Sequence, residues 1–154
     1  MNEIYEIFKK TRNEAQTHFN RLKIAIKRIK NAEGSPLNGI NIKLLLDNEN
    51  SASFLDQVVY RFSKLQDSLG KLIRFYLSLR GENIDGLSMM DMINLSEKIG
   101  IDITGDKWLE LRRLRNILTH EYEEEHQKIA GTINRVCEEI PYLEKIIGQL
   151  VVKL

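Results

Sequence analysis

Apolar residues recur at alternating three- and four-residue steps along most of the chain, which is the spacing of one face of an α-helix. No alternation of apolar and polar residues is long enough to predict a strand, and Pro occurs only at positions 36 and 141. The pattern therefore predicts an all-α fold. We expect an up-and-down bundle of four to six helices in a single domain that covers residues 1–154.

Two long amphipathic helices carry most of this pattern. The first is predicted over residues 2–31, and only Arg12 interrupts its apolar face. The second ends where Gly81 offers a C-terminal cap. Its apolar positions are Leu55, Val58, Phe62, Leu65, Leu69, Leu72, Tyr76 and Leu79. These positions favour an intramolecular core, and the alternative is that part of this face builds a dimer with Tyr60 and Phe75 beside it.

Three further helical segments complete the prediction. Ser88 and Asp91 form a capping-box pattern that begins a short helix. The sequence Thr-Gly-Asp at 104–106 begins the next helix and places an acid near the positive end of its dipole. A last helical region after about Glu124 is interrupted near Pro141, which gives either one kinked helix or two stacked helices.

Composition excludes several protein classes. Pro and Gly are too scarce for a collagen-like or low-complexity chain, and a single cysteine, Cys137, excludes a disulfide framework. No apolar run approaches the ~20 residues of a membrane span, so we expect a cytoplasmic protein with no membrane contact. The three His residues and Cys137 lack zinc-site spacing, and we predict that His18 and His126 are solvated. No Gly-rich phosphate loop is present, and we expect neither a metal nor a cofactor.

The most specific part of the sequence is the segment 108–122. On a helical wheel, Trp108 and three leucines form an apolar arc, and Arg115 lies inside that arc, between Trp108 and Leu111. A guanidinium at this position must reach solvent along its alkyl stem, pair with an acid, or serve a functional site. His120 lies about 140° away on an ideal helix, so the two side chains converge only if the last turn is broken or a second copy contributes one of them.

A resemblance to a known family starts from these residues. Arg-Asn-Ile-Leu-Thr-His at 115–120 resembles the Arg-(four to six residues)-His motif of the HEPN superfamily. With Tyr122 following, the motif is similar to that of the HepT-like toxins of bacterial and archaeal toxin–antitoxin pairs. The match covers residues 106–122, and the rest agrees in size and helical order. The resemblance implies an HEPN-like fold and a homodimer whose two motifs share a cleft that cuts RNA without a metal.

The resemblance also implies a role for each residue of the motif. Arg115 and His120 would be catalytic: imidazole can exchange a proton with the ribose 2′-hydroxyl, and guanidinium can stabilise the phosphorane. The amide of Asn116, one turn before His120, could hold the imidazole in one tautomer. Tyr122 would receive AMP from a partner nucleotidyltransferase, the antitoxin, which adds bulk and negative charge near the cleft. The alternative for Tyr122 is a ring that packs beside the helix end.

The net charge of +1 conceals an uneven distribution. Residues 1–30 contain eight basic residues against three Glu, a net charge of +5, and the remainder carries −4. Because attraction to phosphate depends on local patches, the near-neutral total does not exclude RNA and predicts modest, salt-sensitive binding.

Two other functions stay open at this point. The chain could be a non-catalytic helical subunit that presents a substrate to a separate nucleotidyltransferase. It could also be a structural helical oligomer in which the motif is coincidental.

Overall fold

A computed structural model describes residues 2–33, 36–120 and 125–152 of the chain. Six helices and no strand are present in these ranges, which confirms the all-α prediction. The helices are α1 (Asn2–Glu33), α2 (Gly39–Asp47), α3 (Glu49–Leu79), α4 (Met89–Lys98), α5 (Gly105–His120) and α6 (His126–Gln149). Within the described ranges, no helix is long and apolar enough to cross a lipid bilayer.

The long helices α1 and α3 lie antiparallel. The ring of Phe8, near the start of α1, contacts Tyr76 near the end of α3, with ring centroids 6.4 Å apart. At the opposite end, the guanidinium of Arg28 lies 4.9 Å from the ring centroid of Phe54. Because the start of α1 lies beside the end of α3, and the end of α1 beside the start of α3, the two helices run in opposite directions.

Helix α6 closes the bundle against both α5 and α1. Lys107 pairs with Glu139 at 2.8 Å, and Glu110 approaches Arg135 at 3.6 Å, so α5 and α6 are also antiparallel. On the other side, Arg12 of α1 donates to two carbonyl oxygens near the end of α6. The polar residue that interrupts the first apolar face thus ties the first helix to the last.

The apolar seam of α3 forms the centre of the core. Its buried members are Leu55, Val58, Phe62, Leu65, Leu69, Leu72 and Tyr76, and Leu79 is partly buried. The intramolecular interpretation is confirmed, because these side chains pack against the other helices of the same chain. The seam itself is therefore filled by contacts within the chain, and a dimer that uses the exposed Tyr60 beside it stays a prediction. Beside it, Phe75 is partly buried, whereas Tyr60 stays 48% exposed.

Local sequence explains where the helices begin and end. Ser88 and Asp91 form the predicted capping box at the start of α4. Gly81 follows the end of α3 at φ +82°, the left-handed conformation that glycine adopts without strain. Pro141 lies inside α6, which is a single helix from His126 to Gln149 and not two stacked helices. Helix α2 comes from residues that the pattern shows only as a short apolar stretch.

Candidate functional site

Arg115 lies at the edge of the core, where α5 packs against α3. Its side chain is 33% exposed, and its Nη1 donates to Oδ1 of Asp67 on α3 at 2.8 Å. The sequence left three explanations for an arginine at this position. The structure shows two of them, an acidic partner and access to solvent. A guanidinium has five N–H donors, so this bond leaves others for an anion.

A groove of about 290 Å³ runs between α3 and α5 beside this ion pair. Four cations line it, Lys71 and Arg74 from α3 and Arg112 and Arg115 from α5, against the single carboxylate of Asp67. The remaining lining residues are Gln66, Gly70, Met89 and Trp108. With a formal charge of +3, the groove has the electrostatic character of a phosphate-binding surface.

Two buried side chains hold α5 in register beneath the groove. Gln66, 3% exposed, donates from Nε2 to the carbonyl oxygen of Leu111, which joins α3 to α5. Trp108 is buried among the core residues, and a Cβ atom at Gly70 would lie 3.9 Å from its Cη2 atom. The indole therefore packs directly over α3. These two buried contacts fix α5 against α3, and they thereby fix the positions of the helices that carry the cations of the groove.

His120 is the last residue of α5 and is exposed. The helix continues unbroken from Gly105 to His120, and Thr119 donates its hydroxyl to the carbonyl oxygen of Arg115 at 3.0 Å in the last turn. The broken turn that could bring the pair together is therefore absent. Helical geometry places His120 about 140° around α5 from Arg115, so one copy of the chain does not bring them together.

The side of α5 that carries His120 is an exposed face. Leu109, Arg113, Asn116 and His120 follow one another at helical spacing on this face, and Leu109 is 53% exposed. Glu110 holds Arg113 through two hydrogen bonds of 3.0 Å, and this contact lowers the pKa of the Glu110 carboxyl. Asn116 and His120 are not hydrogen-bonded to each other in the described structure, so the supporting role of Asn116 stays a prediction.

Tyr122, the predicted modification site, lies outside the described residues, as do its neighbours at 121–124. The last described residue before it is His120, which ends α5. The prediction for Tyr122 therefore depends on the sequence alone.

The other two histidines differ from the prediction that they are solvated. His18 is partly buried, and Arg61 donates to its Nδ1 at 3.0 Å, because a guanidinium can only donate. Burial, and secondarily the charge of Arg61, lower the pKa of His18. His126 is partly buried at the start of α6. Neither side chain is fully solvated, because a helical wheel does not show which polar faces the rest of the fold partly covers.

Cys137 is partly buried and packs against the core, as expected for a small residue at apolar spacing. Burial raises the pKa of its thiol above the ordinary value. Among the described residues, no group of three or more His, Cys, Asp or Glu side chains is arranged to hold a metal ion.

The three charged residues that α3 contributes to the groove, Asp67, Lys71 and Arg74, are not foreseen from the sequence. Their spacing of four and three residues does show that they share one face of α3. A charged helix face is ordinarily only solvated, however, and nothing in the pattern indicates that this face borders Arg115. The groove depends on tertiary packing.

In comparisons with known proteins, no protein-family model, curated protein or solved structure matches this chain. Three features of the chain therefore bear on its function: the residues of the groove, the position of His120 and the resemblance of the 115–122 motif.

Proposed function

We propose that this chain is a metal-independent endoribonuclease with an HEPN-like fold, the toxin of a toxin–antitoxin pair, and that it acts as a homodimer. The observation that carries the proposal is the position of Arg115. The side chain of Arg115 lines a groove together with three more cations, Lys71, Arg74 and Arg112. These cations would attract the negatively charged scissile phosphate of an RNA and donate hydrogen bonds to it.

The separation of the two proposed catalytic residues supports a dimer. His120 lies on the exposed face of α5 together with Leu109, and Arg115 lies on the side that faces α3. In a two-fold dimer in which the exposed face of α5 in each copy packs against the groove of the other copy, the partner's His120 would reach the groove that Arg115 lines. Burial of Leu109 in that interface would contribute hydrophobic stabilisation.

The residue types support cleavage through the ribose 2′-hydroxyl. The partner's His120 accepts the 2′-hydroxyl proton as the 2′-oxygen attacks phosphorus, and the bond from phosphorus to the 5′-oxygen breaks. The leaving 5′-oxygen takes a proton from water. Arg115 stabilises the negative charge that develops on the phosphorane. The products are a 2′,3′-cyclic phosphate and a 5′-hydroxyl.

Control of the nuclease is proposed to come from a separate nucleotidyltransferase antitoxin that adds AMP to Tyr122. Tyr122 is two residues from His120 in the sequence. An added nucleotide carries a negative phosphodiester, which repels the RNA backbone and occupies space beside the cleft.

Purified protein incubated with RNA in excess EDTA tests the activity. We expect cleavage products with 2′,3′-cyclic phosphate ends, while single-stranded DNA of the same sequence stays intact because it has no 2′-hydroxyl. His120→Ala protein purified in parallel controls for contaminating ribonucleases. Absence of cleavage, combined with stable complex formation with a nucleotidyltransferase, would instead identify a non-catalytic substrate-binding subunit.

The ion pair between Asp67 and Arg115 gives a prediction for RNA affinity. Asp67→Asn keeps an oxygen that accepts from Arg115 and removes the one negative charge of the groove. We expect RNA to bind roughly two- to five-fold more tightly, the range for one exposed charge interaction. Fluorescence anisotropy with labelled, 2′-O-methylated RNA measures the affinity, and Asp47→Asn on α2 is the charge-matched control. Weaker binding by Asp67→Asn would show that the carboxylate aids binding by holding Arg115.

A further inference from the structure

One face of α3 carries a continuous row of exposed polar and aromatic side chains. Tyr60, Lys64, Asp67, Lys71 and Arg74 follow one another at steps of four, three, four and three residues, and all five are exposed. We call this row the α3 stripe. It extends for about 21 Å along the helix. Its C-terminal half forms one wall of the groove that Arg115 lines.

Tyr60 stands at the other end of the stripe. It is 48% exposed, and the guanidinium carbon of Arg61 lies 5.2 Å from the centroid of its ring. The ammonium nitrogen of Lys64 lies 5.8 Å from the same centroid. Both cations lie over the ring, and an exposed ring with cations against it is a combination that binds single-stranded nucleic acids, because a base can stack on the ring in place of a cation while the cations attract its phosphates.

We propose that the α3 stripe is the path of single-stranded RNA away from the groove and that Tyr60 stacks against an unpaired base of this strand. The inference depends on the proposed function, since it extends the substrate path from the same groove. Lys71 and Arg74 contact the backbone near the scissile phosphate, Lys64 contacts the next stretch of backbone, and the ring of Tyr60 ends the path. The negative charge of Asp67 is offset by Arg115, which pairs with it.

The stripe favours a single strand over a duplex. In an A-form duplex the faces of the bases are stacked on one another, and side chains reach mainly the sugars and phosphates. A ring that protrudes from a helix face finds a base to stack on only where the RNA is unpaired. Tyr60 is therefore expected to distinguish single-stranded from double-stranded RNA.

Binding of uncleavable RNA tests the stripe separately from catalysis. Fluorescence anisotropy with a labelled, fully 2′-O-methylated single-stranded oligonucleotide reports affinity without turnover. We expect Tyr60→Ala to weaken binding by roughly 5- to 100-fold and Tyr60→Phe to bind within about two-fold of wild type, because the phenyl ring retains the stacking surface. Circular dichroism and gel filtration establish that each variant keeps its fold and its oligomeric state.

A matched pair of charge reversals tests the path between the two ends. Lys64→Glu is expected to weaken binding of the same oligonucleotide several-fold and to reduce the salt dependence of the affinity. Lys43→Glu on α2 changes the net charge equally at another exposed position and is expected to leave the affinity within about two-fold. Equal effects of the two reversals would contradict a localised path.

The outcomes separate this inference from the proposed nuclease activity. If wild type cleaves RNA while Tyr60→Ala binds the oligonucleotide as tightly as wild type, the stripe proposal is overturned and the nuclease remains. If no RNA is cleaved but Tyr60→Ala weakens binding, the stripe is supported and the nuclease proposal fails. An equal effect of Tyr60→Ala on duplex RNA overturns the stacking role. Loss of a homodimer in Tyr60→Ala, with RNA affinity unchanged, assigns this patch to protein contact instead.

Discussion

RNA cleavage is expected to fall by about 10²- to 10⁴-fold when either Arg115 or His120 is replaced by Ala. In the proposed mechanism, His120→Ala removes the group that exchanges a proton with the 2′-hydroxyl, and Arg115→Ala removes the cation that faces the developing charge. Arg115→Lys should retain part of the activity, because an ammonium keeps the charge but not the two-pronged hydrogen bonding of a guanidinium. Initial rates on a labelled RNA in EDTA measure each effect.

Both substitutions are expected to leave the fold intact, so the lost rate can be assigned to chemistry. His120 is exposed, and Arg115→Ala leaves Asp67 with 45% of its side chain in solvent, so no charge becomes buried without a partner. Arg80→Ala, at the end of α3, and His126→Ala, at the start of α6, are the matched controls. Full activity in His120→Ala would contradict its assignment as a catalytic residue.

The largest expected effect on stability is that of Trp108→Ala. The indole is 5% exposed and packs between α5 and α3 beneath the groove. Removing a buried Trp side chain leaves a cavity and is expected to lower the free energy of unfolding by about 3–5 kcal/mol. That is a large share of the roughly 5–15 kcal/mol by which native proteins are stable. Urea denaturation followed by circular dichroism measures the change, since Trp108 is the one tryptophan of the chain.

Trp108→Phe separates stability from catalysis in this experiment. The smaller ring keeps most of the apolar contact. We therefore expect the free energy of unfolding to fall less than in the Ala variant, and the protein to be folded at room temperature. Because the indole sets the position of α5 on α3, cleavage by the folded Phe variant should also decrease. An unfolding free energy of Trp108→Ala within about 1 kcal/mol of wild type would contradict the role of the indole as a packing residue of this interface.

The fold follows from the sequence to a large extent, for a simple physical reason. The apolar positions of α3 and of α1 recur with the helical period over several turns. A periodic pattern of that length specifies a buried helix face with little ambiguity. Helix ends are likewise local: Gly81 and the box of Ser88 with Asp91 act within one turn. Helix α2 is harder to predict because it has only nine residues, too few for a periodic pattern.

The candidate site is predicted only in part. The sequence identifies Arg115 as a charge that does not fit its apolar surroundings, and it identifies His120 through the motif. It does not show that Asp67, Lys71 and Arg74 lie opposite, since that depends on how α3 packs on α5. Nor does it reveal the unbroken last turn of α5, which separates Arg115 from His120 and directs the proposal toward a dimer.

Complementation between two inactive variants is the most direct test of the central claim, a site composed of Arg115 from one copy and His120 from the other. Arg115→Ala and His120→Ala proteins are assayed separately and after being unfolded and refolded together. Each alone should be inactive. Half of the dimers in an equal mixture then carry one intact composite site, so about a quarter of the wild-type RNA cleavage should return. A mixture as inactive as its components would contradict the composite site.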